Sequence, residues 1–235
     1  MSFSTSPRPI LIDTASLLTK HTPTNSWLPV IRPYTPISTQ SDTGHITLLV
    51  KQYPNGKGSS HLHSLQPGDS LAVKPIQELD YKPNQYNQIN IVAGGAGITP
   101  FVQLIRTVFA DPKDETSVSL VYANNTDKDV LLKDEFDSLT QQFPNRFRAK
   151  YIVSEAHGNS ATQSAVEKGH VTTTILAQAF KPTGTTDKPT KTLICGPPPM
   201  MAAVCGAKGG FGWTQGSLGG MLKELGYSKD QVQKF

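Results

Sequence analysis

A chain of 235 residues, 37% hydrophobic and 17% charged, has material for one large or two small domains with a real core. Its net charge of +4 includes no Lys/Arg run, so nothing points to nucleic acid, and a mild basic excess suits an acidic partner surface. No apolar run approaches the roughly 18 residues a membrane helix needs, no signal-peptide core opens the chain, and two cysteines, Cys195 and Cys205, are too few for a zinc site or a disulfide framework.

In chain order, residues 1–29 are dominated by Pro, Ser and Thr, and only Ile10 to Leu18 offers a regular pattern. The acid-poor start faintly fits a transit peptide, and a loose tail is the plainer reading. Next comes Arg32-Pro33-Tyr34-Thr35-Pro36-Ile37-Ser38, whose prolines exclude a helix interior and hold the backbone extended. Arginine grips phosphate bidentately, and a tyrosine ring can lie against a flat heterocycle. An edge strand with exposed polar side chains fits the same residues. His45 to Tyr53 reads as a strand and Pro54 to Gly58 as a turn. Ser59 to Leu65 reads as a short helix with a serine N-cap and its start facing an anion. A turn at Gln66-Pro67-Gly68-Asp69 and a strand from Ser70 to Lys74 complete the pattern of a small barrel or sandwich. His61 and His63, two apart on a helix, point away from each other, so no metal site is expected.

Pro75 to Gln88 reads as a linker, after which strands and helices alternate. Strands are expected at Ile89 to Ala93, Thr116 to Ala123, Phe147 to Val153 and Thr192 to Cys195. Helices are expected from Phe101 to Phe109, Asp129 to Phe143, Val171 to Phe180, from Met201 onward, and Leu218 to Leu225. Such alternation builds a parallel sheet, whose ligands sit beyond the carboxyl ends of the strands. Three stretches fall at such ends: Gly94-Gly95-Ala96-Gly97, Asn124 to Asp129, and Cys195-Gly196-Pro197-Pro198-Pro199-Met200. The first is a strand, glycine-rich turn and helix start that suits a pyrophosphate, or a packing turn of any α/β domain. Cys195 has no base beside it in sequence, which favours a thiol packing against a ligand over a nucleophile.

In this order, the Arg32–Ser38 stretch, Gly56-Lys57-Gly58-Ser59-Ser60-His61-Leu62, Gly94 to Pro100 and Cys195 to Met200 resemble the NADH–cytochrome b5 reductase family of flavoenzymes. The ending Leu225 to Phe235 is similar to the fungal mitochondrial members. The resemblance implies a two-domain ferredoxin-reductase-like fold: an antiparallel β-barrel FAD domain followed by an α/β parallel-sheet NAD-binding domain. Family members carry further barrel strands before the Arg32 motif, which residues 1–29 do not match, so the barrel is expected to be truncated. The boundaries read are 1–29 as a poorly defined segment, 30–80 as the partial FAD domain, 81–88 as linker and 89–235 as the NAD domain. A second departure is Gly209-Gly210-Phe211-Gly212-Trp213, where the resemblance implies a charged segment.

Carried over residue by residue, the resemblance puts Arg32 and Pro33 at the FAD pyrophosphate, Tyr34 against the flavin ring and Thr35 near its N5. Leu49 and Lys51 fall beside FAD, with Lys51 also on the nicotinamide route; Lys57, Gly58 and Ser59 lie at the helix start, and Thr99 near the flavin. Gly94, Gly95 and Gly97 would line the NADH pyrophosphate, and Thr126 and Asp129 the adenine ribose, where an acid repels a 2′-phosphate. Cys195, Gly196, Pro197 and Met200 would meet the nicotinamide end. Thr35, Lys51 and Cys195 are the implied catalytic positions. The implied activity passes a hydride from NADH to FAD and then single electrons to cytochrome b5 or a similar acidic haem protein, with Lys57 near the docking face. The second reading is a non-catalytic nucleotide-binding remnant without stable FAD. The resemblance implies a mitochondrial setting, at the outer membrane or intermembrane space, and a cytoplasmic one is the alternative.

Overall fold

The computed structural model describes residues 2–4, 15–21, 30–39, 42–155, 166–180, 188–212 and 214–235. They divide into two compact units, Met1–Tyr81 with Thr99–Thr107, and Lys82–Ile98 with Val108–Phe235.

The first unit is antiparallel. Strand β1 (Ser2–Ser4) pairs with β4 (His45–Thr47), and β2 (Ala15–His21) lies between β3 (Val30–Tyr34) and β5 (Ala72–Gln77). Residues 15–21, inside the segment from which little regularity was expected, thus form the central strand of a three-stranded sheet. Residues 10–14 of the element expected at Ile10 to Leu18 lie outside the described residues, as do Pro7, Pro9, Pro23 and Pro29. Pro33 and Pro75 sit in β3 and β5, the two edges of that sheet, where a missing N–H costs no ladder bond. The strand expected from Ser70 to Lys74 is β5, and Pro75 hid only its last three residues inside the supposed linker. Leu17, Ile46 and Leu48 form a small buried core, with Tyr34 and Val50 packed on it.

The strand expected from His45 to Tyr53 is shorter than the sequence suggested. Beyond an isolated bridge between Pro36 and Leu48, the backbone leaves the ladder. Its groups find partners on helix α1 (Lys57–Ser64) instead: His63 Nε2 lies 2.9 Å from Val50 O, and Tyr53 N–H donates to Ser59 Oγ at 3.2 Å. Helix α2 (Thr99–Ala110) fixes the segment after β3 in the same way, with Gln103 and Arg106 donating to the carbonyls of Ser38 and Ile37.

The second unit is a six-stranded sheet in the order β11-β10-β6-β7-β8-β9, parallel throughout. Its strands are β6 (Gln88–Gly94), β7 (Ser117–Thr126), β8 (Phe147–Glu155), β9 (Val166–Lys168), β10 (Thr190–Cys195) and β11 (Val232–Lys234). Every residue of β6 is buried, as the central strand of a parallel sheet requires. One face packs an apolar cluster that takes Val121 and Ile152 from the sheet. It adds residues of α4 (Thr173–Ala179), α5 (Pro198–Cys205) and α6 (Gly220–Glu224). On the other face, Phe136 of α3 (Lys133–Gln142) meets the Tyr122 and Phe147 rings. The helix expected from Asp129 to Phe143 starts late because Leu132 adopts a left-handed conformation (φ 58°), which separates a capped turn at Asp127–Asp129 from α3.

The glycine-rich segment after α5 is held from the chain's end. Lys234 of β11 is 4% exposed, and its ammonium donates to Ala207 O at 3.1 Å and Ser217 O at 2.8 Å. Gln215 exchanges two hydrogen bonds with the Lys234 backbone. Burial is the main reason the Lys234 pKa lies below the ordinary lysine value. Trp213 lies outside the described residues. Replacing Lys234 by Met keeps the apolar stem and strands both carbonyls, which should cost about 2 kcal/mol. A urea titration reads this as a lower unfolding midpoint; an unchanged midpoint would show that the clamp is dispensable.

Candidate functional site

The first unit carries a cradle between β3 and the start of α1. Arg32 and Tyr34 are two apart on β3 and so share a face. A Cβ added at Gly58 would lie 2.9 Å from the Tyr34 hydroxyl and 3.1 Å from Arg32 Cγ, so glycine lets the helix start pack against both side chains without displacing them. Helix α1 has Gly56 at its N-cap and no side-chain cap, where the sequence suggested a serine. Ser59 is engaged elsewhere, accepting from Tyr53 N–H and donating to Gly56 O. An uncapped helix start beside a guanidinium fits an anionic group such as a pyrophosphate. The Arg32 guanidinium donates to Ile31 O at 2.8 Å. Burial is the main cause that lifts the Tyr34 pKa above the ordinary tyrosine value; Arg32 opposes it and Tyr53 adds to it. The hydroxyl is therefore neutral and can donate at physiological pH. Thr35 is buried, Pro33 and Lys57 are exposed, and Leu49, Lys51 and Thr99 are half-buried.

The second unit has a topological switch between β6 and β10. The chain runs outward from β6 through β7, β8 and β9, then returns to β10 on the other side of β6. Ligands of open α/β sheets bind at the carboxyl ends on either side of such a reversal. Gly94 to Gly97 end β6, and Cys195, Gly196 and Pro197 end β10, with Cys195 paired to Ala93. The two turns touch through glycine. A Cβ on Gly97 would lie 2.4 Å from Cys195 O, one on Gly94 2.7 Å from Pro197 Cδ, and one on Gly196 3.1 Å from Gly94 Cα. Gly95 differs: its φ is +53° and nothing lies within 4 Å of an added Cβ, so it is the glycine that faces open space. Tyr122, fully buried, steadies it by donating to Gly95 O at 3.0 Å.

Thr126 and Asp129 come together in a reciprocal cap. Asp129 Oδ2 accepts from Thr126 N–H at 3.2 Å and from Thr126 Oγ1 at 2.9 Å, so this carboxylate shapes the turn whatever else it meets. Glu155, the last residue of β8, pairs in register with Thr126 and adds a second acid to this edge. Asn124, which the sequence reading noted only as part of a strand end, is 8% exposed at the same edge. Cys205 is buried and its thiol pushed up to about 11 by that burial, which keeps it unreactive.

Comparison with known proteins follows the two units. A family model described as an oxidoreductase FAD-binding domain matches residues 15–81, and one described as an oxidoreductase NAD-binding domain matches residues 91–206. The chain is similar to NADH-cytochrome b5 reductase 2 of Botryotinia fuckeliana (44% identity, 94% of this chain, 62% of the relative). It is likewise similar to that of Emericella nidulans (42% identity, 94% of this chain, 67% of the relative). The chain therefore spans about two thirds of the length of these curated relatives. Among solved structures it resembles the cytochrome b5 reductase domain of Ulva prolifera nitrate reductase, with a TM-score of 0.80, 26% identity, and coverage of 100% of this chain and 90% of that one. The fold is ferredoxin-reductase-like, an FAD-binding domain with antiparallel sheet followed by an NAD-binding domain with a parallel six-stranded sheet.

The glycines should separate by substitution. Gly97→Ala must force the two turns apart and should cost about 2–3 kcal/mol of stability. Gly95→Ala meets only a backbone penalty of about 1 kcal/mol. Thermal unfolding of both variants checks the ranking, and a reversed order would mean that the turns do not pack as described.

Proposed function

Because this chain belongs to the NADH–cytochrome b5 reductase family, we propose that it is a flavin-dependent oxidoreductase that takes electrons from NADH and hands them to cytochrome b5 or a similar haem protein. When bound, FAD supplies the chemistry that couples two-electron uptake from NADH to one-electron release. The chain's own residues bind and orient. Arg32 and the α1 start offer positive charge and N–H groups to a pyrophosphate, and Gly58 lets that helix start pack beside Arg32 and Tyr34. Tyr34, neutral and half-buried, offers a ring face and a donor hydroxyl. Thr35, Lys51 and Cys195 are proposed as the groups nearest the reacting atoms on the resemblance alone.

The β6–β10 switch carries the dinucleotide half of this reading. Gly95 faces open space there, where a pyrophosphate needs close backbone approach, while Gly94, Gly97 and Gly196 let the two turns meet. The acceptor is proposed from the names of the relatives and from the chain's net charge of +4, which suits an acidic haem protein. No helix among the described residues is long and apolar enough to cross a membrane. A mitochondrial setting is proposed on the likeness of the ending Leu225 to Phe235 to fungal mitochondrial members, and cell fractionation tests it.

The purified chain should show flavin absorption bands that bleach when NADH is added without air, and should then reduce cytochrome b5. A folded but colourless protein would favour a nucleotide-binding remnant over a reductase. Arg32→Ala should lower FAD retention by about tenfold while leaving NADH affinity near the wild-type value. Equal loss of both would mean that the motif serves the fold only. Asp129→Asn keeps an acceptor for Thr126 while removing the charge, and it should admit NADPH more readily than the wild type. A preference for NADH that is unmoved by this change would shift the ribose assignment to another acid at that edge, Glu155 being the neighbour in register.

A further inference from the structure

We propose that Tyr122 is the positioning residue of the glycine turn after β6, its hydroxyl setting the peptide plane that an incoming pyrophosphate meets. The inference rests on the nucleotide-binding reading of the β6–β10 switch. Gly94, Gly97 and Gly196 are held by what they touch, since an added Cβ on each would strike ring or backbone atoms. Gly95 is not held in this way. Its φ is +53°, an added Cβ would have nothing within 4 Å, and the 3₁₀ turn Gly95–Ile98 begins on it. Glycine accepts either sign of φ at little cost, so it does not itself choose the orientation of the peptide that follows. The Tyr122 hydroxyl, which donates to Gly95 O at 3.0 Å, is placed to choose it. A trans peptide is planar, with its C=O and N–H pointing in opposite directions. Holding the Gly95 carbonyl inward on a fully buried phenol therefore turns the Ala96 N–H outward. Outward N–H groups in a turn that leads into a helix are what a phosphate recognises, and α2 starts at Thr99, directly after this turn.

The tyrosine is itself held in place. Its ring meets that of Phe136 edge-on, with centroids 6.5 Å apart, and Phe136 is fully buried on α3. Tyr151 of β8 stands in register with Tyr122, on the same face of the sheet. Tyr151 donates to Asp137 Oδ1 at 2.8 Å, Asp137 is paired with Lys133, and that ammonium lies 4.8 Å from the centre of the Tyr151 ring. Helix α3 is thereby tied to β8 and keeps Phe136 against the Tyr122 ring. The two tyrosines are neighbours, equally buried and chemically alike, and the destinations of their hydroxyls separate them. That of Tyr151 goes to α3 and serves the packing of the helix. That of Tyr122 goes to the turn at the end of the adjacent strand. Phenylalanine would fill the same space beside Phe136, so the hydroxyl is the part of Tyr122 that ring packing does not require.

The test titrates ADP-ribose, which carries the pyrophosphate, into the purified full chain and two variants that each lose one buried hydroxyl and keep the ring. Tyr122→Phe should weaken ADP-ribose binding by about fivefold or more. Tyr151→Phe should leave that affinity as in the wild type, although both variants should melt lower without ligand, since each loses a hydrogen bond. Amide hydrogen exchange gives a second readout. The N–H groups of Gly95, Ala96 and Gly97 should exchange faster in Tyr122→Phe and at the wild-type rate in Tyr151→Phe. An unchanged ADP-ribose affinity in Tyr122→Phe, whatever its melting temperature, would overturn the inference and leave the hydroxyl a structural group. An equal loss of affinity in both variants would also overturn it, because the effect would then belong to packing under α3. A Tyr122→Phe chain that does not fold would do the same, by showing that the hydroxyl holds the sheet. A wild-type chain that does not bind ADP-ribose would remove the nucleotide-binding reading itself, a result separable from failure of the Tyr122 variant alone.

Discussion

The approach of two backbone turns at the carboxyl ends of β6 and β10 is the constraint on which the second unit depends. There is no room for a methyl group between Gly97 and the Cys195 carbonyl, or between Gly94 and the ring of Pro197. Their closeness follows from strand order, since β6 and β10 are neighbours paired in register from Gln88 with Thr190 to Ala93 with Cys195. Glycine is what lets the two turns meet there. The proline-rich start of α5 has a related effect. Pro197 at its N-cap and Pro198 within its first turn fix φ and leave that edge few alternative conformations. Strand order, glycine and proline thus produce one rigid rim, which is what a site that aligns a nicotinamide needs.

The first unit reaches rigidity by a different route. Its described strands are short, and two of them contain proline. The ladder alone would leave much of the backbone between β4 and α1 without partners. Side chains of neighbouring helices take over: Ser59 and His63 from α1, Gln103 and Arg106 from α2. The consequence for function is local. Side chains of the helices bind backbone on both flanks of the cradle, so Arg32 and Tyr34 sit on a strand whose continuation at Ile37 and Ser38 is fixed.

How much of this could be read in advance depends on the kind of signal. The alternation of apolar strands and amphipathic helices from Ile89 onward is visible because a parallel strand buried on both faces is mostly apolar, as β6 is from Ile91 to Ala93. The glycine and proline turns are visible because few residues can do what they do. Strands of three residues, β9 and β11, carry too few side chains to show a period. The late start of α3 was hidden because nothing in a leucine announces a left-handed conformation. Residues 15–21 were hidden by the prolines and serines around them, although the strand itself has none of the former. Lys234 was hidden for another reason. A buried lysine is legible only through the carbonyls it meets, and Ala207 and Ser217 lie far from it in sequence.

Two buried asparagines in the same sheet differ in whether the chain itself completes their side chains. Asn90 of β6 is fully buried, and its side chain accepts from Gln88 and donates to Thr192 and Tyr227. Those contacts tie β6 to β10 and to the segment before β11, so Asn90 is a structural residue: its partners are within the protein and its removal would strand them. Asn124 of β7 is almost as deeply buried and has no such partners. Both positions are equally polar in sequence, and burial does not distinguish them either. What distinguishes them is where along the strand each lies. Asn90 is near the start of β6, away from the carboxyl edge, while Asn124 is at that edge, where ligands enter folds of this kind.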